Sequence, residues 1–173
     1  MTRRTLTTML AFAAALGASL TLAPRVRVQA ARNNEKSLAI VVNRSNPVDN
    51  LSTAELRVIF LGQRSHWDNG RRITLVMMEP GQPERETVLR EICRLSEAEF
   101  RRRFLQGLLT GEVLVSPKIL ATPVGVRKFV FNVPGAIGYL RPEDVDNSVK
   151  VIAIDGHTPE DAEYPLRIPA EIR

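Results

Sequence analysis

The chain holds a single cysteine, Cys93, among 173 residues, so no disulfide can close within it and the fold must rest on packing alone. Histidine is nearly as scarce: His66 and His157 are the only two. They stand far apart in expected loops, and neither belongs to a His-Glu-x-x-His pattern, so no zinc site is visible. Also missing are the glycine-rich dinucleotide fingerprint and a phosphate loop ending in Gly-Lys-Ser or Gly-Lys-Thr. No serine, histidine and carboxylate fall into an order that would build a nucleophile. These absences set the expectation of a non-enzymatic domain without metal or cofactor. Aromatic residues make up 5% of the chain. Trp67 beside a turn and Tyr139 inside an apolar strand read as packing residues rather than as stacking platforms.

Acidic residues are absent from the first 30 positions, which nevertheless carry Arg3, Arg4, Arg25 and Arg27. Residues 9–22 are an alanine- and leucine-rich run too short for a comfortable transmembrane helix, and Val28-Gln29-Ala30 offers small residues to a signal peptidase. The segment reads as a signal peptide cleaved after Ala30, which places the mature protein in the periplasm; Arg25 and Arg27 directly after the apolar run leave an uncleaved anchor as the competing reading. Thr2-Arg3-Arg4-Thr5-Leu6 partly fits a twin-arginine signal, so either export route is open. The leader also accounts for the high isoelectric point. Of the 24 basic residues 20 remain after it, against 19 acidic ones, and the case for a nucleic-acid partner disappears.

Beyond the leader the chain alternates between strand and helix patterns. After a polar joint, residues 31–36, a continuous apolar run at residues 38–42 reads as a strand buried on both faces. Ser52 and Glu55 form a capping box for a helix with Leu56, Ile59 and Phe60 inward, ending near Gly62. Trp67-Asp68-Asn69-Gly70 is a turn into a second strand, residues 73–77. Val88, Leu89, Ile92 and Cys93 recur at helical spacing over residues 83–95, with Pro83 in the first turn. Ser96 and Glu99 open a third helix, expected to present Phe100, Phe104, Leu105, Leu108 and Leu109 on one face. Thr122-Pro123 opens a fourth, and strands come next at residues 136–140 and 149–154. The pattern predicts an α/β domain, a mostly parallel sheet flanked by helices, over residues 37–155. Residues 156–173 read as a polar tail.

One segment has a physical route to ligand binding. Pro80-Gly81-Gln82-Pro83-Glu84-Arg85 leads from a strand end onto a helix start, where unpaired amides and the helix dipole favour an anion. Arg85 adds a guanidinium. Glu79, Glu84 and Glu86 surround it and oppose a negative ligand, so an ordinary turn is the competing reading. Arg101-Arg102-Arg103 spreads around its helix and reads as a solvated face. Cys93 reads as a small buried side chain.

Several of these segments together resemble the substrate-binding proteins of bacterial phosphate ABC transporters. The likeness is carried by Leu38-Ala39-Ile40-Val41-Val42-Asn43, by Leu51-Ser52-Thr53-Ala54-Glu55-Leu56-Arg57-Val58-Ile59-Phe60-Leu61-Gly62 and by His66-Trp67. It continues through Ile73-Thr74-Leu75-Val76 to Val133-Pro134-Gly135-Ala136-Ile137-Gly138-Tyr139, in order over about residues 37–140. The resemblance implies one lobe of a type II periplasmic-binding-protein-like fold, phosphate or a similar oxyanion as ligand, and an inner-membrane transporter or sensor as partner. It places the ligand-binding residues at Gly81, Gln82 and Arg85, with Asn43 and Ser45 as loop donors after the first strand. The family's strand-end Arg and Gly-Ser-Gly-Thr stretch correspond here to Met77-Met78-Glu79-Pro80-Gly81-Gln82-Pro83-Glu84-Arg85, where only the glycine persists. That departure keeps a second reading open, an interaction or sensory module that retained the fold without the ligand.

Overall fold

The computed structural model describes residues 36–168; the expected leader, its cleavage point and residues 31–35 lie outside them. Strand β1 is Lys36–Ser37, β2 is Ala39–Asn43 and β3 is Asn50–Leu51. Helix α1, Thr53–Phe60, leads to β4, Thr74–Met78. Helix α2, Pro83–Val88, runs on into a π-helical turn, Leu89–Cys93, and stops at Arg94 in the left-handed region. Then come α3, Glu97–Thr110; β5, Lys118–Leu120; α4, Pro123–Asn132; β6, Ala136–Leu140; β7, Val149–Ile154; and β8, Arg167–Ile168.

Six strands form one sheet in the order β3-β7-β2-β6-β4-β5, and three of its five pairings are parallel. The other two belong to β2, which pairs antiparallel with both β6 and β7. Five strands therefore run one way and β2 alone runs against them. Its residues are buried throughout, as an apolar run in the sheet interior requires. Strand β6 is likewise buried throughout and β4 in all but its first residue, while β7 mixes buried and exposed positions. Across the sheet Phe60 of α1 packs on Tyr139, with ring centroids 6.1 Å apart.

The capping boxes form as the sequence predicts. The Ser52 hydroxyl accepts from the Glu55 amide at 3.2 Å, and Glu55 accepts from the Ser52 amide at 2.8 Å. That amide and then the Ser52 hydroxyl hold the Glu55 carboxyl below its ordinary value. A lowered carboxyl contributes stability that is full above the ordinary value of 4.5 and is lost as pH falls through the lowered one. Glu55→Gln is therefore expected to lower Tm by about 2–4 °C above about pH 5, with the gap closing on acidification. Thermal melts across that range check it, and a gap that stays constant to pH about 3 would separate Glu55 from the effect.

Two expectations need correction. Helix α3 buries Phe100 and Gly107, whereas Leu105, Leu108 and Leu109 are exposed. At about 100° per residue the three leucines lie on a flank turned away from Phe100, so the apolar pattern is wider than the face the core covers. Of the residues expected to be a tail, those up to Ile168 fold back onto the domain. Strand β8 pairs with β1, Tyr164, Leu166 and Ile168 are buried, and the Tyr164 hydroxyl donates to the Leu38 carbonyl at 2.9 Å. Three apolar residues spaced two apart among polar ones are an alternating strand signal, hidden by the prolines around them.

Candidate functional site

Helices α1, α2 and α4 each follow a strand of the majority direction, so all three begin at the sheet's carboxyl edge, where open α/β sheets place ligands. Two of these starts are closed by their own side chains. Ser52 caps α1, and the Thr122 hydroxyl accepts from the Gly125 amide at 3.1 Å at the start of α4. The start of α2 has no side-chain cap. Pro83 brings no N–H, and the amides of Glu84 and Arg85 have no acceptor among the described residues. Gly81, just before it, has φ +86° with open space around it, and Gln82 occupies the capping position with no capping bond from its side chain. The strand-end turn of Gly81 and Gln82 is thus an open cradle with the positive end of a helix behind it, an arrangement that suits an anion.

The charged side chains around this cradle are committed to each other. Arg85 is buried, and its guanidinium donates to both carboxylate oxygens of Glu97 at 2.7 and 3.0 Å and to the Met78 carbonyl at 2.9 Å. It lies 5.5 Å from the centre of the Phe100 ring. One strand over, Arg141 at the end of β6 donates to Glu84, which is also buried. Arg141 and Glu97 are the site residues that sequence reasoning missed. The signal for Arg141 was its position directly after a buried strand; Glu97, in the first turn of a different helix, left none. Beneath the turn the Tyr139 hydroxyl accepts from the Met78 amide at 2.9 Å, and burial pushes its ionisation up. Beside Arg85 a groove of about 220 Å³ opens between Pro80, Phe100, Arg101, Leu105 and Ile119.

Asn43 and Ser45 do not join Gly81, Gln82 and Arg85. Because β2 runs against the other strands, its end lies at the opposite edge of the sheet, about 16 Å of strand away. There the Asn43 amide donates to the carbonyls of Val130 and Phe131, at 2.9 and 2.6 Å, and closes the end of α4. Its oxygen accepts from the Ser45 amide and hydroxyl, and Ser45 in turn accepts from Arg71. Both are scaffold residues. Among the described residues no group of three His, Cys, Asp or Glu side chains is placed to hold a metal. Cys93 is buried, and loss of water pushes its thiol up to about 12.

This architecture is one lobe of a periplasmic-binding-protein-type α/β fold. Its structural relatives are phosphate receptors. No family model matches the chain. An ABC-type phosphate transport receptor from Vibrio cholerae is similar with TM-score 0.65 and 25% identity, over 78% of this chain and 55% of that one. A phosphate ABC-transporter substrate-binding protein from Clostridium perfringens, solved with bound phosphate, matches with TM-score 0.64 and 21% identity over 78% and 54%. PstS from Borrelia burgdorferi matches with TM-score 0.62 and 10% identity over 78% and 55%. The last two likenesses show the fold alone. The chain spans about half the length of each of these structures.

Proposed function

We propose that the chain is an exported, periplasmic oxyanion-binding lobe of the phosphate-receptor type. The observation that carries the reading is the uncapped start of α2, the one helix start at the carboxyl edge left open to an anion among the described residues. The likeness to phosphate receptors supports phosphate or a close analogue as the ligand, and an ABC transporter or sensor in the inner membrane as the partner. The Gly81-Gln82 turn and the Glu84 and Arg85 amides contact the anion. Arg85 and Arg141 hold the cradle rigid through Glu97 and Glu84, and each stands ready to pair with a ligand if its carboxylate is neutralised. One lobe leaves a bound ion half in water, so affinity is weak, with Kd on the order of hundreds of micromolar.

Titration calorimetry with phosphate at neutral pH tests this. Saturable binding is expected, tightened about five- to tenfold in Glu97→Gln, where the competing charge is gone and Arg85 can turn a charged fork to the ligand. Silence of both proteins at millimolar phosphate would end the ligand reading. The second reading, a module that docks on a membrane protein without a ligand, is favoured by the same two ion pairs, because internal carboxylates already satisfy both arginines.

A further inference from the structure

The outer flank of α3 has no counterpart in the oxyanion site and remains unused by it. Leu109 is 90% exposed and Leu105 58%, with Leu108 beside them, and large apolar side chains grouped in this way on a surface mark an interaction site. At about 100° per residue the three form one stripe, with Arg101 in line one turn earlier and Arg102 at its border. Arg101, Arg102 and Arg103 are exposed and form no ion pair among the described residues. Three carboxylates lie near them. Glu97 holds Arg85, Glu99 closes the capping box of its own helix with Arg102 adding to the pull on its carboxyl, and Glu112 lies across the helix beside Arg103. Exposed Lys118 adjoins Ile119, which shares a groove with Leu105 and Arg101. The face is therefore apolar along its ridge and cationic along its margins.

We propose that this face of α3 docks the protein on an anionic phospholipid surface, with Leu105, Leu108 and Leu109 entering the headgroup boundary and Arg101 and Arg102 paired with lipid phosphates. Charge complementarity selects that occupant. Apposing two copies would bring the arginines of one against those of the other. The most exposed residue, Leu109, stands in the last turn of its helix, next to the terminal Thr110, and projects rather than recedes, which suits a soft planar interface better than a rigid partner pocket. An interfacial helix of this kind combines a buried apolar strip with cations at the headgroup level. The proposal does not depend on phosphate binding, so either can fail without the other.

The test places an environment-sensitive fluorophore on the full chain carrying Leu109→Cys. Cys93 is buried with its thiol pushed up to about 12, so at neutral pH the label enters only at position 109. Vesicles of phosphatidylcholine alone are compared with vesicles containing an equal part of phosphatidylglycerol. Emission is expected to rise about threefold with the anionic vesicles only, to fall back in high salt, and to need about tenfold more lipid when Arg101→Glu and Arg102→Glu are added. A label that keeps its aqueous emission while the protein sediments with vesicles would overturn the proposal, since another part of the chain would then be the contact. So would a rise with protein concentration alone, which makes a second copy the occupant, or a rise with native membranes but not with lipid, which makes it a membrane protein.

Discussion

Arg85→Ala is expected to destabilise the domain by about 2–4 kcal/mol, read as a lower urea midpoint with an unchanged slope. The side chain is 5% exposed and makes three donor contacts, two to Glu97 and one to the Met78 carbonyl. Removing it strands a carboxylate that is itself only 25% exposed, and it removes the contact with the Phe100 ring. The loss falls short of a fully buried pair because Glu97 keeps some water. Lysine is not expected to rescue the protein, since an ammonium cannot reproduce the two-pronged contact. Replacing both partners with methionine should recover much of the loss, because no charge is then left unpaired. A variant as stable as the wild type would show that the pair does not form. The consequence for function is direct: weakened phosphate binding in Arg85→Ala would report a damaged fold as readily as a lost ligand contact. Glu97→Gln is the informative substitution because it leaves the arginine in place.

How much of the structure is legible in the sequence depends on how local each signal is. The capping boxes at Ser52 and Ser96, the proline at the start of α2 and the uniformly apolar β2 are decided within a few residues, and each stands where the pattern places it. The reversal of β2 is decided by pairing with β6 and β7, about 100 residues further on, and an apolar run carries no arrow. That single unknown sent Asn43 and Ser45 to the wrong edge of the sheet. The commitment of Arg85 to Glu97 is a contact between two helices joined by a left-handed turn at Arg94, which no spacing rule anticipates. Helix α3 shows a different limit. Its apolar residues cover more of its circumference than the core can reach, so periodicity names the apolar residues without saying which are buried. Two of the places where local signals and final structure diverge, the Arg85–Glu97 pair at the carboxyl edge and the exposed leucines of α3, lie on the surfaces for which a role is proposed.

Gly135→Ala is expected to cost about 2–3 kcal/mol, lowering Tm by about 10 °C. A Cβ built at Gly135 would sit 2.0 Å from the Arg72 carbonyl oxygen, and backbone on both sides leaves no flexible side chain to yield. The segment is tied down from two directions. The Gly135 carbonyl accepts from the Trp67 indole at 3.0 Å and from the Thr74 amide at 3.0 Å, so pushing it away loosens the seat of the buried tryptophan and the first residue of β4 together. Because Trp67 is the only tryptophan, its fluorescence reads the damage locally, and a red shift should accompany the lower melting point. Gly81→Ala is the contrast. There φ is +86° but a Cβ would meet nothing within 4 Å, so the substitution costs only about 1 kcal/mol of backbone strain and should leave the Trp67 spectrum unchanged. Equal losses from the two variants would mean that the Arg72 turn yields to a Cβ at position 135, so that the close approach of the two strands' leading turns is not what requires glycine there. The larger loss at Gly135 would instead identify the contact between the Arg72 turn and the start of β6 as the point that fixes the parallel register of β4 on β6. The carboxyl edge carrying the Gly81 cradle depends on that register.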